Sequence, residues 1–198
     1  MTTGGTWRCK FPTRLARPQH DPWRNGCHSV TLARGLMQRI IVTIALALAC
    51  TVNAETITGQ VVGVADGDTI TVLDVDKVQH KIRLAGIDAP EKKQPFGNRS
   101  KESLSDMVFD KTVNVETEKR DRYGRQIGKV LVNGQDVNLV QVERGMAWFY
   151  RQYQREQSPN DRRLYEAAED TAKAGKRGLW RDVDPTPPWD FRKAKRGG

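Results

Sequence analysis

Strand-forming segments in this chain come in runs, and their order restricts its fold more than any single motif. Residues 57–64 and 69–75 are rich in β-branched side chains, and Lys81-Ile82-Arg83-Leu84 alternates polar with apolar, so three strands are expected first. Leu104, Met107 and Val108 then follow helical spacing. Residues 112–116 and 126–132 read as two further strands. Asp136 is placed to cap a short helix reaching Gly145, and Leu164, Ala168, Thr171 and Ala172 mark a helix stopped by Gly175. A parallel α/β sheet would alternate strands with helices. This order predicts a mainly β structure with α elements, an OB-type five-stranded β-barrel with three helices.

At 198 residues the chain has room for one domain of ordinary size. Seven of its 33 Lys and Arg side chains and one of its 24 acids precede Glu55, so the remaining 144 residues carry only +3 of the formal +9. Bulk charge therefore does not by itself indicate a polyanionic partner. Cys9, Cys27 and Cys50 also precede Glu55, so the body holds neither an internal disulfide nor a cysteine-ligated zinc.

Met37-Gln38-Arg39, the apolar run from Ile40 to Cys50, and Val52-Asn53-Ala54 have the three zones of a secretory signal, with cleavage expected after Ala54. The apolar run is shorter than the roughly 20 residues of a membrane-crossing helix, so no stable span is expected. The expected location is secreted or periplasmic. Four regions follow: an unassigned extension at 1–36, the signal at 37–54, the folded domain at 55–182, and a Pro-containing basic tail at 183–198 expected to be disordered. No protein partner is readable.

If residues 69–75 and 79–86 pair as an antiparallel hairpin about a turn centred near residue 78, Asp68 becomes the cross-strand neighbour of Asp88. Two carboxylates so placed need a retained proton or a cation between them. The ligands on offer are oxygens, the two carboxylates with carbonyls such as that of Ala89, and that set suits calcium or magnesium. Arg83 lies on the same hairpin, and Glu91 follows Asp88 in a Pro-containing loop. An undistorted strand would point Arg83 and Asp88 to opposite faces, so a bend near Gly86 is required. Asp121-Arg122-Tyr123-Gly124-Arg125 is a polar turn between two strands, and its plainest reading is a solvated hairpin tip.

Asp66-Gly67-Asp68-Thr69, then Ile82-Arg83-Leu84-Ala85-Gly86-Ile87-Asp88-Ala89-Pro90-Glu91, then Asp121-Arg122-Tyr123-Gly124-Arg125 resemble, in that order, the staphylococcal (micrococcal) nuclease family. The similarity runs from about Thr56 to Trp180. It implies the same barrel, calcium held by Asp68, Asp88 and the Ala89 carbonyl, and catalytic roles for Arg83, Glu91 and Arg125. It also implies nucleotide contacts from Tyr123 and Tyr153. Ala89 stands where the family's best-known member has threonine, a change that keeps the carbonyl and removes a hydroxyl. Arg122 has a length suited to phosphate contact.

The implied reaction is endonucleolytic hydrolysis of DNA and RNA with little sequence specificity, leaving a 3′-phosphate and a 5′-hydroxyl. With His80 the only histidine of the body, Glu91 is the carboxylate nearest in sequence to the proposed metal and is assigned to activate or orient water. Two other readings stand beside this one. A catalytically silent OB-fold barrel would bind nucleic acid without cutting it. A Ser-His-Asp hydrolase would need His80 beside a serine, and the chain has no Gly-x-Ser-x-Gly elbow.

Overall fold

The computed structural model describes residues 55–197, so the signal-like segment and the extension before it lie outside the described residues. In chain order the elements are β1 (Glu55–Asp66), β2 (Thr69–Asp74), β3 (Gln79–Leu84), β4 (Ile87–Asp88), α1 (Gly97–Val108), β5 (Thr112–Arg120) and β6 (Gln126–Val132). They continue with β7 (Gln135–Asp136), α2 (Val137–Glu143), β8 (Trp148–Phe149), α3 (Pro159–Ala174) and α4 (Pro188–Gly197). Two 3-10 helices, Arg151–Glu156 and Gly178–Arg181, flank α3.

Alternation along each strand makes the barrel. β1 buries Ile57, Gly59 and Val61 and exposes the residues between them, as a half-buried antiparallel strand should. Strands pair in the order β3-β2-β1-β5-β6, and β6 then closes onto β3 in parallel, which gives the expected closed five-stranded barrel. Ile70, Val72, Ile82, Leu84, Val115 and Val130 fill its interior. Leu104 and Val108 of α1, Phe149 of β8 and Tyr165 of α3 continue the same core. Burial of each such side chain contributes about 1.5 to 3 kcal/mol.

The caps follow from chemistry already legible in the chain. The Asp136 carboxylate accepts the Leu139 N–H at 3.0 Å to start α2, and Ser158 accepts the Asp161 N–H at 3.0 Å to start α3, with Pro159 at its first position.

Two expectations are corrected. The β2–β3 turn centres on Asp76, with Thr69 opposite Arg83 and Ile70 opposite Ile82. Asp74 sets this turn, accepting the Val78 N–H on its side chain at 2.8 Å, while Lys77 takes a positive φ of 63°. Asp68 therefore faces Leu84, whose N–H donates to the Asp68 carbonyl at 2.8 Å, and not Asp88. The second correction concerns the tail: residues from Pro188 form a fourth helix where a disordered segment was expected. Pro188 presets the first turn, Asp190 lies at the positive end of the helix dipole, and Lys195 and Arg196 lie at the negative end. Trp189 then anchors the helix, stacked on Tyr150 at 5.5 Å and edge-on to Trp148 at 5.7 Å.

Candidate active site

Gly86 resolves the facing problem between Arg83 and Asp88. At φ 73° it turns the chain out of β3, a conformation glycine adopts without steric cost, and its carbonyl accepts the Tyr150 N–H at 2.9 Å. The next two residues form β4, antiparallel to β8 with Asp88 opposite Trp148. Asp88 thus reaches Asp68 from a separate strand, not from the same hairpin.

Asp68 sits at the end of the β1–β2 turn. The Asp66 side chain accepts the Asp68 N–H at 3.1 Å, and the buried amide of Gln141 donates to the Gly67 carbonyl at 2.9 Å and to the Ser100 carbonyl at 3.1 Å. The turn is thereby clamped to α1. Both carboxylates are buried, and one guanidinium joins them: Arg83 Nη2 lies 3.2 Å from Asp68 Oδ2 and 2.9 Å from Asp88 Oδ1. Arg83 Nη1 donates to the Leu84 carbonyl at 3.0 Å, which fixes the plane of the group. The Ala89 N–H donates to Asp68 Oδ2 at 2.6 Å, so the residue after Asp88 is tied to Asp68 as well.

Burial pushes the Asp68 carboxyl up to about 7, against the opposing pull of the Arg83 guanidinium; the neighbouring Asp66 and Asp88 charges add to the rise.

A cavity of about 800 Å³ opens over this pair, and all the residues singled out in the sequence line it: Asp68, Arg83, Asp88, Ala89, Glu91, Arg122, Tyr123, Arg125 and Tyr153. Asp121 organises the far wall. Its carboxylate accepts the Tyr123 and Arg125 N–H groups at 2.9 and 3.0 Å and the Arg125 Nε at 2.8 Å. Burial raises the Asp121 carboxyl, but these bonds from Arg125 and Tyr123 outweigh it and hold the group below its usual value. The Arg122 and Arg125 guanidiniums lie 4.9 and 5.6 Å from the centre of the exposed Tyr123 ring. Tyr153, on the first 3-10 helix, meets Tyr150 edge-on at 5.0 Å and has Lys119 over its ring at 5.8 Å.

Several lining residues carried no sequence signal as site residues: Asp66, Lys119, Tyr150 and, from α4, Trp189, Arg192 and Arg196. Arg192 reaches the acidic centre itself. Its Nη2 lies 2.7 Å from Asp88 Oδ2, and its Nη1 lies 3.2 Å from Asp88 Oδ1 and 2.8 Å from Glu91 Oε1. Burial works against its charge, yet the bonds it donates to Asp88 and Glu91 hold its pKa above the ordinary arginine value. The Glu91 loop is also fixed by Gln94, whose side chain accepts the Glu91 N–H at 3.2 Å and donates to the Thr186 carbonyl. Lys92 and Lys93 are exposed and outside the cavity.

His80 is paired with Asp74 at 2.7 Å and does not line the cavity, which removes the Ser-His-Asp reading. Among the described residues no group of three or more His, Cys, Asp or Glu side chains forms a ready-made metal cluster, and no helix is long and apolar enough to cross a membrane. The donor set is all oxygen, with two converging carboxylates, and such a set fits a hard cation that keeps several of its waters.

The family model described as Staphylococcal nuclease homologue matches residues 81–182, from β3 through the second 3-10 helix. An uncharacterized endonuclease of Escherichia coli O157:H7 is 46% identical over 138 residues, 69% of this chain and 86% of its own length. An uncharacterized endonuclease of Haemophilus influenzae is 39% identical over 161 residues, 81% of this chain and 86% of its own. A micrococcal nuclease of Shigella flexneri is 41% identical over 147 residues, 70% and 82% of the two chains. With its barrel, its paired carboxylates and these relatives, the chain belongs to the staphylococcal nuclease homologue family, and so to the nucleases.

Proposed function

We propose that this nuclease is a calcium-dependent endonuclease, exported to the periplasm or medium, that cuts DNA and RNA with little sequence preference and leaves 3′-phosphate ends. The observation that carries the reading is the Arg83 bridge between Asp68 and Asp88 on the wall of a cavity that also holds Glu91 and Arg125. Export is supported by the signal-like residues 37–54.

A phosphodiester is anionic, and attack by water adds charge to its non-bridging oxygens, so fixed cations favour the transition state over the ground state. Asp68, Asp88 and the Ala89 carbonyl would hold calcium, which when bound supplies positive charge against the phosphate. Arg83 and Arg125 are planar donors already oriented by carboxylates, and each can hydrogen-bond two phosphate oxygens. Glu91 takes the proton of the attacking water. The water oxygen joins phosphorus, the bond to the 5′ oxygen breaks, and that oxygen takes up a proton from solvent and leaves as a hydroxyl. Tyr123 and Tyr153 offer rings on which any base can stack, and Arg122 offers charge to the backbone; neither contact reads sequence.

The test is incubation of the purified chain with single-stranded DNA, duplex DNA and RNA, in calcium or in a calcium chelator, followed by analysis of the product ends. Cutting in calcium alone, with 3′-phosphate ends, is expected. Nucleic-acid binding without cutting in calcium would instead leave a silent binding barrel.

A further inference from the structure

We propose that α4 is an internal stopper: Arg192 occupies the carboxylates that a divalent cation needs, so the helix and the cation exclude one another. The inference rests on the cation-dependent reading of the site and adds how that site is opened. Asp88 is only 1% exposed, and both its oxygens are engaged, Oδ1 by Arg83 and Arg192 and Oδ2 by Arg192. Arg192 also holds Glu91, the carboxylate assigned to water. While this fork is docked, neither Asp88 nor Glu91 has its partner-free geometry, and a hard cation has no open face on Asp88.

The helix is built to leave. It is a ten-residue segment, too short to be stable alone in water, and only Pro188 of it is buried. Trp189, Arg192 and Arg196 line the cavity from one side of the helix, while the Arg192 side chain keeps 37% of its surface in water. Asp182, Val183, Asp184 and Thr186 of the segment leading to it are exposed. Apart from the Arg192 fork, its attachments are the Trp189 ring against Trp148 and Tyr150 and the bond from Gln94 to Thr186. A segment with so few buried contacts belongs to the low-stability end of a fold. The family match ends at residue 182, before α4 begins.

Because two ligands of one site weaken each other reciprocally, calcium expels α4 to the same degree that α4 weakens calcium. The chain is then closed where calcium is scarce and open where it is abundant.

The test titrates calcium alone into the parent chain, Arg192→Ala, Arg192→Lys and Trp189→Ala by calorimetry, with hydrogen exchange recorded across 188–197 in parallel. Arg192→Ala is expected to bind calcium roughly tenfold more tightly, the effect of removing a competing state populated about nine times in ten. Trp189→Ala loosens the same helix without touching a carboxylate and should move affinity in the same direction; Arg192→Lys should lie between parent and alanine. Calcium should speed exchange in α4 of the parent while the barrel stays protected. Equal calcium affinity in parent and Arg192→Ala, with α4 protected throughout, overturns the stopper and leaves the cation reading intact. Loss of cutting in Arg192→Ala at unchanged calcium affinity also overturns it, by assigning Arg192 to the substrate. If no chain binds calcium, the cation reading fails first and the stopper with it.

Discussion

Two buried acidic centres lie close together in this fold, and they differ in how fully their charge is met. Glu169 of α3 is completely buried, accepts the Phe149 N–H at 3.0 Å, and has Arg151 and Lys173 at 2.6 and 2.7 Å. Glu169 there meets two cations, one of which, Arg151, also reaches Glu166 at 3.4 Å at the surface. At the other centre three carboxylates, Asp68, Asp88 and Glu91, share two guanidiniums, and one of those arrives on the C-terminal helix. The centres are coupled through β8, because Phe149 pairs with Ile87 while Trp148 pairs with Asp88. A saturated centre braces the strand that positions a deficient one. Burial of charge therefore does not distinguish the two centres; their balance of counter-charge does.

The contrast breaks most sharply if the wrong centre controls chemistry. Glu91→Gln keeps the shape of the side chain and removes its basicity, so cutting should fall by roughly 10² to 10⁴ with the thermal midpoint little changed. Steady-state rates on a short oligonucleotide, beside a melting curve, decide it. A variant as fast as the parent takes the role of base away from Glu91. Glu169→Gln should behave in the opposite sense. It leaves Arg151 and Lys173 facing a neutral group, and because both retain access to water the loss of stability should be about 3 kcal/mol. Urea unfolding measures it. A large loss of rate in a Glu169→Gln chain that is still fully folded would contradict a bracing role.

The deficient centre was the more legible of the two, and for a physical reason. Carboxylates beside Gly67 and Pro90 are ordinary turn and strand-end residues taken singly, and it was their convergence on one spot that pointed to a site. Even so, the convergence was expected across one hairpin and occurs between the β1–β2 turn and β4, because Asp74 draws the turn back to Asp76 and Gly86 restarts the chain. Glu169 and Gln141 were not legible. Polar residues at helical spacing read as a solvated face until tertiary partners are known, although both are fully buried. Arg192 was hidden more deeply, in a basic Pro-containing tail whose composition resembles that of mobile segments; Pro188 with Asp190 and Lys195 was the only local sign of a helix. Contacts with Asp88 and Glu91 from so far along the chain are set by packing, and no local pattern encodes them.

The smallest expected effect tests the shortage itself. Burial raises the Asp68 carboxyl from an unfolded value near 3.8 to about 7. Below about pH 4 both states hold the proton and Asp68 contributes nothing to pH dependence. Between about pH 4 and 7 the unfolded chain releases its proton while the folded chain retains it, so the unfolded state gains and stability falls as pH rises. The penalty is complete above about pH 7. Asp68→Asn cannot ionise and keeps an acceptor for the Ala89 N–H, so in chelator it should match the parent at pH 4 and exceed it at pH 8 by on the order of 1 to 2 kcal/mol. Urea unfolding of both chains across that range gives the difference directly. A difference that stays constant with pH would mean that Arg83 and Arg192 already satisfy the centre as fully as Arg151 and Lys173 satisfy Glu169, and the distinction between the two centres would be lost.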